Sequence, residues 1–267
     1  ICDAIPGCQG PKRSSGAALV IAGARRRAPR RHPRRYTCGD NGAMSRHALV
    51  AGATGLVGRS LVQRLLDDAD TASVVALTRR PLAIPHPKLV EAVVEFDHLG
   101  DYVLPAVDDY FCCLGTTIRE AGSRDAFREV DLGYAVAVAR LALTAGATRC
   151  FVVTALGANP TSRVFYNRVK GEVEVELGRL PFRTVVAFRP SLLIGERAQA
   201  RAGERAALAV ARPLAPVLPS RYRPVDADTV ARAMLACAKT DAVGRFVVES
   251  GAIRTFAAVA ARAAGGG

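Results

Sequence analysis

Short apolar, β-branched runs alternate with longer stretches whose apolar residues recur at helical spacing, from residue 47 to near the end of the chain. The short runs predict strands near 47 to 51, 73 to 77, 91 to 95, 108 to 113, 149 to 154, 183 to 189 and 245 to 249. Helices are expected between them, including 56 to 67, 124 to 145, 163 to 178 and 226 to 239. Gly146 falls where a helix C-terminal cap is expected, just before the next strand. Strand–helix alternation of this kind implies a parallel sheet covered on both faces, an α/β fold of the Rossmann, doubly wound type.

Two regions depart from the alternation. Residues 1 to 43 are rich in Arg, Pro and Gly without sustained periodicity, and are expected to be a disordered basic leader. Three origins stay open for it: an upstream stretch included by an early start, a basic arm for nucleic acid, or an organelle-targeting peptide. After residue 194 the chain turns to Arg, Ala and Pro, which suggests a small C-terminal helical cap, mainly 195 to 225, on a single NAD(P)-binding domain spanning 44 to 267.

Charge changes the picture little once it is located. The chain carries a formal +13, but the leader holds nine Lys and Arg against two Asp and so accounts for +7 of it. No nucleic-acid partner is therefore expected of the main domain. No apolar run approaches the roughly 18 residues that span a bilayer. Seven scattered cysteines in a chain with a proper core point to a reduced, cytoplasmic setting. The adjacent Cys112 and Cys113 point to opposite faces of a strand, which favours core packing. The four histidines lack metal-ligand spacing, and no metal is expected.

Candidate chemistry begins with "GATGLVG", residues 52 to 58, between the first strand and the first helix. Gly52 permits the tight turn, Gly55 removes a side chain that would block a pyrophosphate, and Gly58 lets the helix pack close to the sheet. The helix N-terminus then faces the phosphates; a turn without a ligand is the alternative. The next strand ends in Arg79 and Arg80, about 20 residues on, where arginine accommodates a 2′-phosphate and an acid would select NAD. NADP(H) is favoured and NAD(H) is possible. Asp97, after the third strand, is either an acceptor for the adenine amino group or an ordinary loop acid.

Tyr166 and Lys170 stand four apart, on one face of a helix. A tyrosine with an ordinary pKa of about 10 is a poor acid–base at neutral pH, and an adjacent ammonium favours its phenolate. Thr154 lies twelve residues before Tyr166 at a strand end, where its hydroxyl could hold a substrate oxygen. Alone, the tyrosine–lysine spacing is equally a helix surface; with the glycine turn and the hydroxyl it becomes a constellation.

With "FRPSLLIGER" following in the same order, the chain resembles the short-chain dehydrogenase/reductase superfamily in its extended or atypical branch. "CCLGTTIREAGS" and "VTALGANPTSRVFYNRVKGEVEVEL" narrow the resemblance to the Tat-interactive-protein-2-like oxidoreductases, over about residues 45 to 253. The resemblance implies that Tyr166 is the acid–base, Lys170 its partner, and that Thr154 stands for the superfamily's serine. It further implies that Gly52, Thr54, Gly55, Leu56, Val57, Gly58, Arg79, Arg80, Leu114 and Gly115 line the dinucleotide, and that Pro190, Ser191 and Leu192 flank the nicotinamide. Thr116 and Arg197 are the substrate-side candidates it suggests. Relatives often carry a second serine where Ala155 stands, and the superfamily's helix asparagine has no clear counterpart, Asp131 being nearby in sequence order.

The expected function is an NADP(H)-dependent oxidoreductase acting on a small-molecule carbonyl or secondary alcohol. The rivals are a sugar-nucleotide epimerase or dehydratase, and a catalytically weak NADP(H)-sensing regulator. A homodimer through 124 to 145 and 163 to 178 is suggested by superfamily analogy.

Overall fold

The chain is described by a computed structural model over residues 19–20, 45–194 and 219–264. The leader, apart from Leu19 and Val20, lies outside the described residues, as do Arg197 and most of the expected cap.

Ten strands and seven helices are used below. They run β1 (Leu19–Val20), β2 (Arg46–Ala51), α1 (Leu56–Asp67), β3 (Thr71–Thr78), β4 (Leu89–Val93), β5 (Asp109–Cys112), α2 (Ile118–Ala121), α3 (Arg124–Arg128), α4 (Tyr134–Thr144), β6 (Arg149–Val153), α5 (Phe165–Arg179), β7 (Thr184–Arg189), β8 (Leu193–Ile194), β9 (Val225–Asp226), α6 (Ala227–Ala238), β10 (Gly244–Glu249) and α7 (Ser250–Ala264). The main sheet has the order β1-β4-β3-β2-β5-β6-β7-β10, with parallel pairing throughout. Seven of these strands are the expected ones; β1 adds two residues at the edge. The order reverses between β2 and β5, the topological switch point beside which ligands bind in open parallel sheets.

The strand period of two divides the core. Val50, Phe111, Phe151 and Phe188 face α1, α6 and α7, where they meet Leu61, Met234 and Ile253. Leu49, Tyr110 and Val152 face the opposite way, toward α4 and α5, with Val138 and Leu177. Cys112 joins the second cluster and Cys113 packs against the first, as alternation requires. Both faces are thus covered, which is why the strands read as almost unbroken apolar runs. A bidentate Arg64–Asp228 pair, at 2.7 and 2.6 Å, ties α1 to α6.

One expected element is different. The single helix read over 124 to 145 is broken into α3, a π-helical turn over Glu129–Gly133, and α4. A π turn inserts one residue into the helical repeat and so changes which face the following residues occupy. Asp131 lies within this turn and is 2 % exposed, four residues from the buried Phe127 and Ala135.

Candidate active site

The parallel strands all end on one side, and the loops that leave those ends carry the candidate residues. At the end of β2, Gly52 has φ +83, and a Cβ there would overlap the backbone of Cys113 and Leu114 beyond β5. A Cβ on Gly58 would overlap the Gly52 carbonyl, so the first and third glycines are required by the protein's own backbone. Gly55 is different. A Cβ there would meet only the Gly52 oxygen, at 3.3 Å, and both Thr54 and Gly55 are exposed. Gly55 is also the N-cap of α1, with no side-chain hydrogen bond and no acid in the first turn. The helix therefore starts with exposed glycine and without a side chain of its own to accept its first N–H groups, a site suited to an anion.

Beside this turn, Arg79 and Arg80 follow β3 and are exposed. Asp97 accepts the Tyr134 hydroxyl at 2.6 Å. That bond, with smaller effects of burial and of the Asp97 charge, pushes the Tyr134 phenol up to about 12, while the Arg79 charge opposes it. Tyr134, which sequence reasoning missed, thus stands between the two expected adenosine-side groups, bonded to Asp97 and within electrostatic reach of Arg79.

On the other side of the switch point, Lys170 is buried and its Nζ lies 2.5 Å from Asp131 Oδ1. The second Asp131 oxygen accepts the Thr116 amide at 2.9 Å. A Cβ on Gly115 would lie 3.4 Å from Lys170 Nζ and 3.7 Å from Asp131, so the loop after β5 closes directly over the pair. Burial alone would lower the Lys170 pKa; the Asp131 carboxylate, and then Tyr166, more than offset it, and the net shift is upward. Lys170 Nζ is 5.9 Å from the centre of the Tyr166 ring, which itself packs on Phe127 at 5.6 Å. Tyr166 is half-buried, and among the described residues its hydroxyl has no hydrogen-bond partner.

The Thr154 hydroxyl is buried and donates to Glu174 at 2.6 Å, with the Phe188 carbonyl at 3.3 Å. Glu174 lies two helical turns beyond Tyr166 and also accepts two Arg189 donors, at 2.9 and 2.6 Å. Ala155, next along, has no hydroxyl. Glu174 thus joins the end of β6, α5 and β7 through Thr154 and Arg189.

Pro190, Ser191 and Leu192 leave the end of β7 and are knitted into the surrounding loops. The Pro190 carbonyl accepts Leu156 N–H at 2.9 Å, and the Leu192 carbonyl accepts Val225 N–H at 2.9 Å. The Ser191 hydroxyl donates to the Arg223 carbonyl and accepts from Ser250 at 3.1 Å. Thr116 uses its hydroxyl toward Glu120, at 3.3 Å. Among the described residues no three His, Cys, Asp or Glu are placed to hold a metal, and no helix is long and apolar enough to cross a membrane.

Known proteins place this architecture. No family model matches the chain. HTATIP2 of Rattus norvegicus is 34% identical over 197 residues, covering 72% of this chain and 80% of that protein. The mitochondrial protein FMP52 of Eremothecium gossypii is 37% identical over 153 residues, covering 57% and 68%, and that of Saccharomyces cerevisiae is 32% identical over 161 residues, covering 58% and 69%. Among solved structures, UDP-glucose 4-epimerase of Thermotoga maritima with UDP-glucose superposes with a TM-score of 0.58 at 14% identity, over 79% of this chain and 80% of that one. MoeE5 in complex with UDP-glucose and NAD gives 0.56 at 16% identity, over 76% and 75%.

The FMP52 relatives overturn the cytoplasmic expectation, since they are mitochondrial by name. The described cysteines are free, but free thiols are compatible with more than one compartment and do not single one out. By its identity to HTATIP2 and FMP52 the chain belongs to the HTATIP2/FMP52 family, and it shares its Rossmann fold with the solved nucleotide-sugar enzymes.

Proposed function

We propose that this protein is an NADP(H)-dependent oxidoreductase acting on a carbonyl or secondary alcohol, with Tyr166 as acid–base and Lys170 as its charged partner. The observation that carries this reading is the placement of a half-buried tyrosine one helical turn from a buried lysine, under the Gly115 loop and across the switch point from an uncapped helix N-terminus.

The residues present fit a nicotinamide dinucleotide. Gly52, Thr54, Gly55, Leu56 and Val57 would hold its pyrophosphate with backbone N–H groups, and Gly55 leaves the room a Cβ would fill. Arg79 and Arg80 would meet a 2′-phosphate, and Asp97 an adenine amino group through the oxygen that Tyr134 leaves free. Leu114 and Gly115 would lie along the dinucleotide, and Pro190, Ser191 and Leu192 beside the nicotinamide. When bound in reduced form, the cofactor supplies a hydride to the carbonyl carbon and is itself oxidised. Tyr166 gives its phenolic proton to the carbonyl oxygen and regains one from solvent.

The test is NADPH-dependent reduction over a panel of aldehydes and ketones. Tyr166→Phe is expected to lower turnover by about 10²–10⁴-fold while leaving the melting temperature unchanged. Equal turnover in the two proteins contradicts the assignment.

A second reading, a slow NADP(H)-sensing protein, is favoured by one observation: the Thr154 hydroxyl is spent on Glu174, and Ala155 supplies none. Tight NADPH binding with no turnover across the panel would establish it. The epimerase likeness is a likeness of fold.

A further inference from the structure

Among the described residues Lys170 has one close counter-ion. Asp131 meets it at 2.5 Å, with the two side chains 6% and 0% exposed, and the Thr116 amide holds the other carboxylate oxygen in place. The other groups facing the lysine are weaker partners. Tyr166 stands 5.9 Å away at its ring centre, and β5 contributes the Cys112 thiol. Glu174, the next acid on this face of α5, is held by Arg189 of β7. Glu129, at the start of the π turn, folds back over Gly133.

We propose that Asp131 is a positioning residue that neutralises Lys170 and keeps Tyr166 a proton-bearing phenol, which assigns the site to carbonyl reduction at neutral pH and confines alcohol oxidation to alkaline pH. The inference rests on Tyr166 being the acid–base. Its basis is charge balance around the buried Lys170–Asp131 pair, where an unpaired charge is costly and a matched pair is tolerated. With Asp131 in place, ammonium and carboxylate cancel, and ionising Tyr166 would leave the site one negative charge out of balance. Without that carboxylate, the phenolate itself would be the counter-ion of the lysine, and ionising Tyr166 would restore balance. In the favoured step the Tyr166 O–H bond breaks and its proton passes to the substrate oxygen, made negative by hydride addition. The bonding pair stays on the phenolate, and solvent returns the proton.

Asp131 faces the lysine from the inner side of the helical run, four residues from the buried Phe127 and four from the buried Ala135.

The experiment needs neither cofactor nor substrate. The full-length chain and its Asp131→Asn, Lys170→Met and Asp131→Asn/Lys170→Met variants are each prepared with and without Tyr166→Phe, and phenolate ultraviolet absorbance is followed into the alkaline range. The chain has six tyrosines, and the difference between each pair isolates Tyr166. Asp131→Asn is expected to move the Tyr166 titration to lower pH by about one unit or more, and adding Lys170→Met should abolish that shift. A titration that stays in place or moves upward in Asp131→Asn overturns the proposal.

If Asp131→Asn does not fold, the double variant decides. It replaces a neutral pair by two neutral side chains, so the Tyr166 titration should stay within about half a unit of wild type. A rise of about one unit or more would mean that Lys170 acts on Tyr166 despite Asp131, and the proposal fails. Calorimetric NADPH binding and carbonyl turnover of the wild type test the oxidoreductase reading separately, so the two failures are distinguishable.

Discussion

Among the described residues two ion pairs are buried, one at each end of the same sheet. At the N-terminal edge, Asp109 and Arg149 face each other across β5 and β6 and join through two bonds of 2.6 and 2.5 Å. The remaining Arg149 donor goes to the carbonyls of Ala238 and Thr240. At the C-terminal edge, Asp131 and Lys170 join through one contact, and the neighbours are a glycine loop and a tyrosine.

The first pair is joined through both carboxylate oxygens and exchanges no proton between its members, because arginine stays charged throughout the accessible pH range. Burial raises the Asp109 pKa in spite of Arg149, so this carboxylate is held at a cost and acts as a strut between strands. The second pair uses lysine, a point charge whose effect on a neighbour depends on what else it touches. The difference is one of surroundings: strand starts are sealed by the helices that return to them, whereas strand ends open into the loops that carry the chemistry.

The comparison can be broken most forcefully at the closed end. Arg149→Met strands a buried carboxylate and is expected to destabilise the protein by about 3–5 kcal/mol in urea denaturation. NADPH affinity under folding conditions should stay unchanged. Loss of affinity without loss of stability would make the two ends functionally equivalent.

At the open end the pair makes stability pH-dependent. The folded Lys170 pKa lies above the ordinary lysine value of 10.5, so its contribution is fully present below the unfolded lysine pKa and is lost as pH rises through the folded one. Urea midpoints should therefore fall in that alkaline window, and the Asp131→Asn/Lys170→Met variant should fall less. An identical decline in both proteins would remove Lys170 as its cause.

The smallest effect sharpens the boundary of the site. Thr154→Val removes a donor to Glu174 and should cost about 1–2 kcal/mol of stability. Turnover should be preserved, because the hydroxyl is engaged by Glu174. A large loss of turnover at unchanged stability would return Thr154 to the reacting centre.

The strands, the main helices and the glycine turn were legible because periodicity and backbone constraint are local. Gly58 is dictated by a contact within its own turn and Gly52 by a left-handed φ at the strand end, and a parallel sheet writes its strands as apolar runs. The Glu174 partner of Thr154 was not legible, because Thr154 lies one residue past β6, where the alternation that assigns faces along a strand no longer holds. Asp131 was only a neighbour in sequence order, because a lone acid within a helical pattern reads as solvent-facing. The π turn in which it lies leaves no mark in a 3.6-residue period. Tyr134 was missed for a similar reason: its partner Asp97 is 37 residues away, and nothing local connects them. The cap and Arg197 lie beyond the described residues, and with them lies the substrate's identity.

The central claim is that the turn at 52 to 58 and the arginines after β3 select NADP(H). Isothermal titration of NADPH and NADH into the full-length chain, in wild type and in Arg79→Ala/Arg80→Ala, tests it most directly. Wild type should bind NADPH more tightly than NADH, and the double variant should lose roughly ten- to a hundredfold toward NADPH, with NADH affinity little changed. Equal affinity for the two nucleotides in wild type would contradict the phosphate assignment, and failure of both to bind at millimolar concentration would leave the glycine turn as a turn.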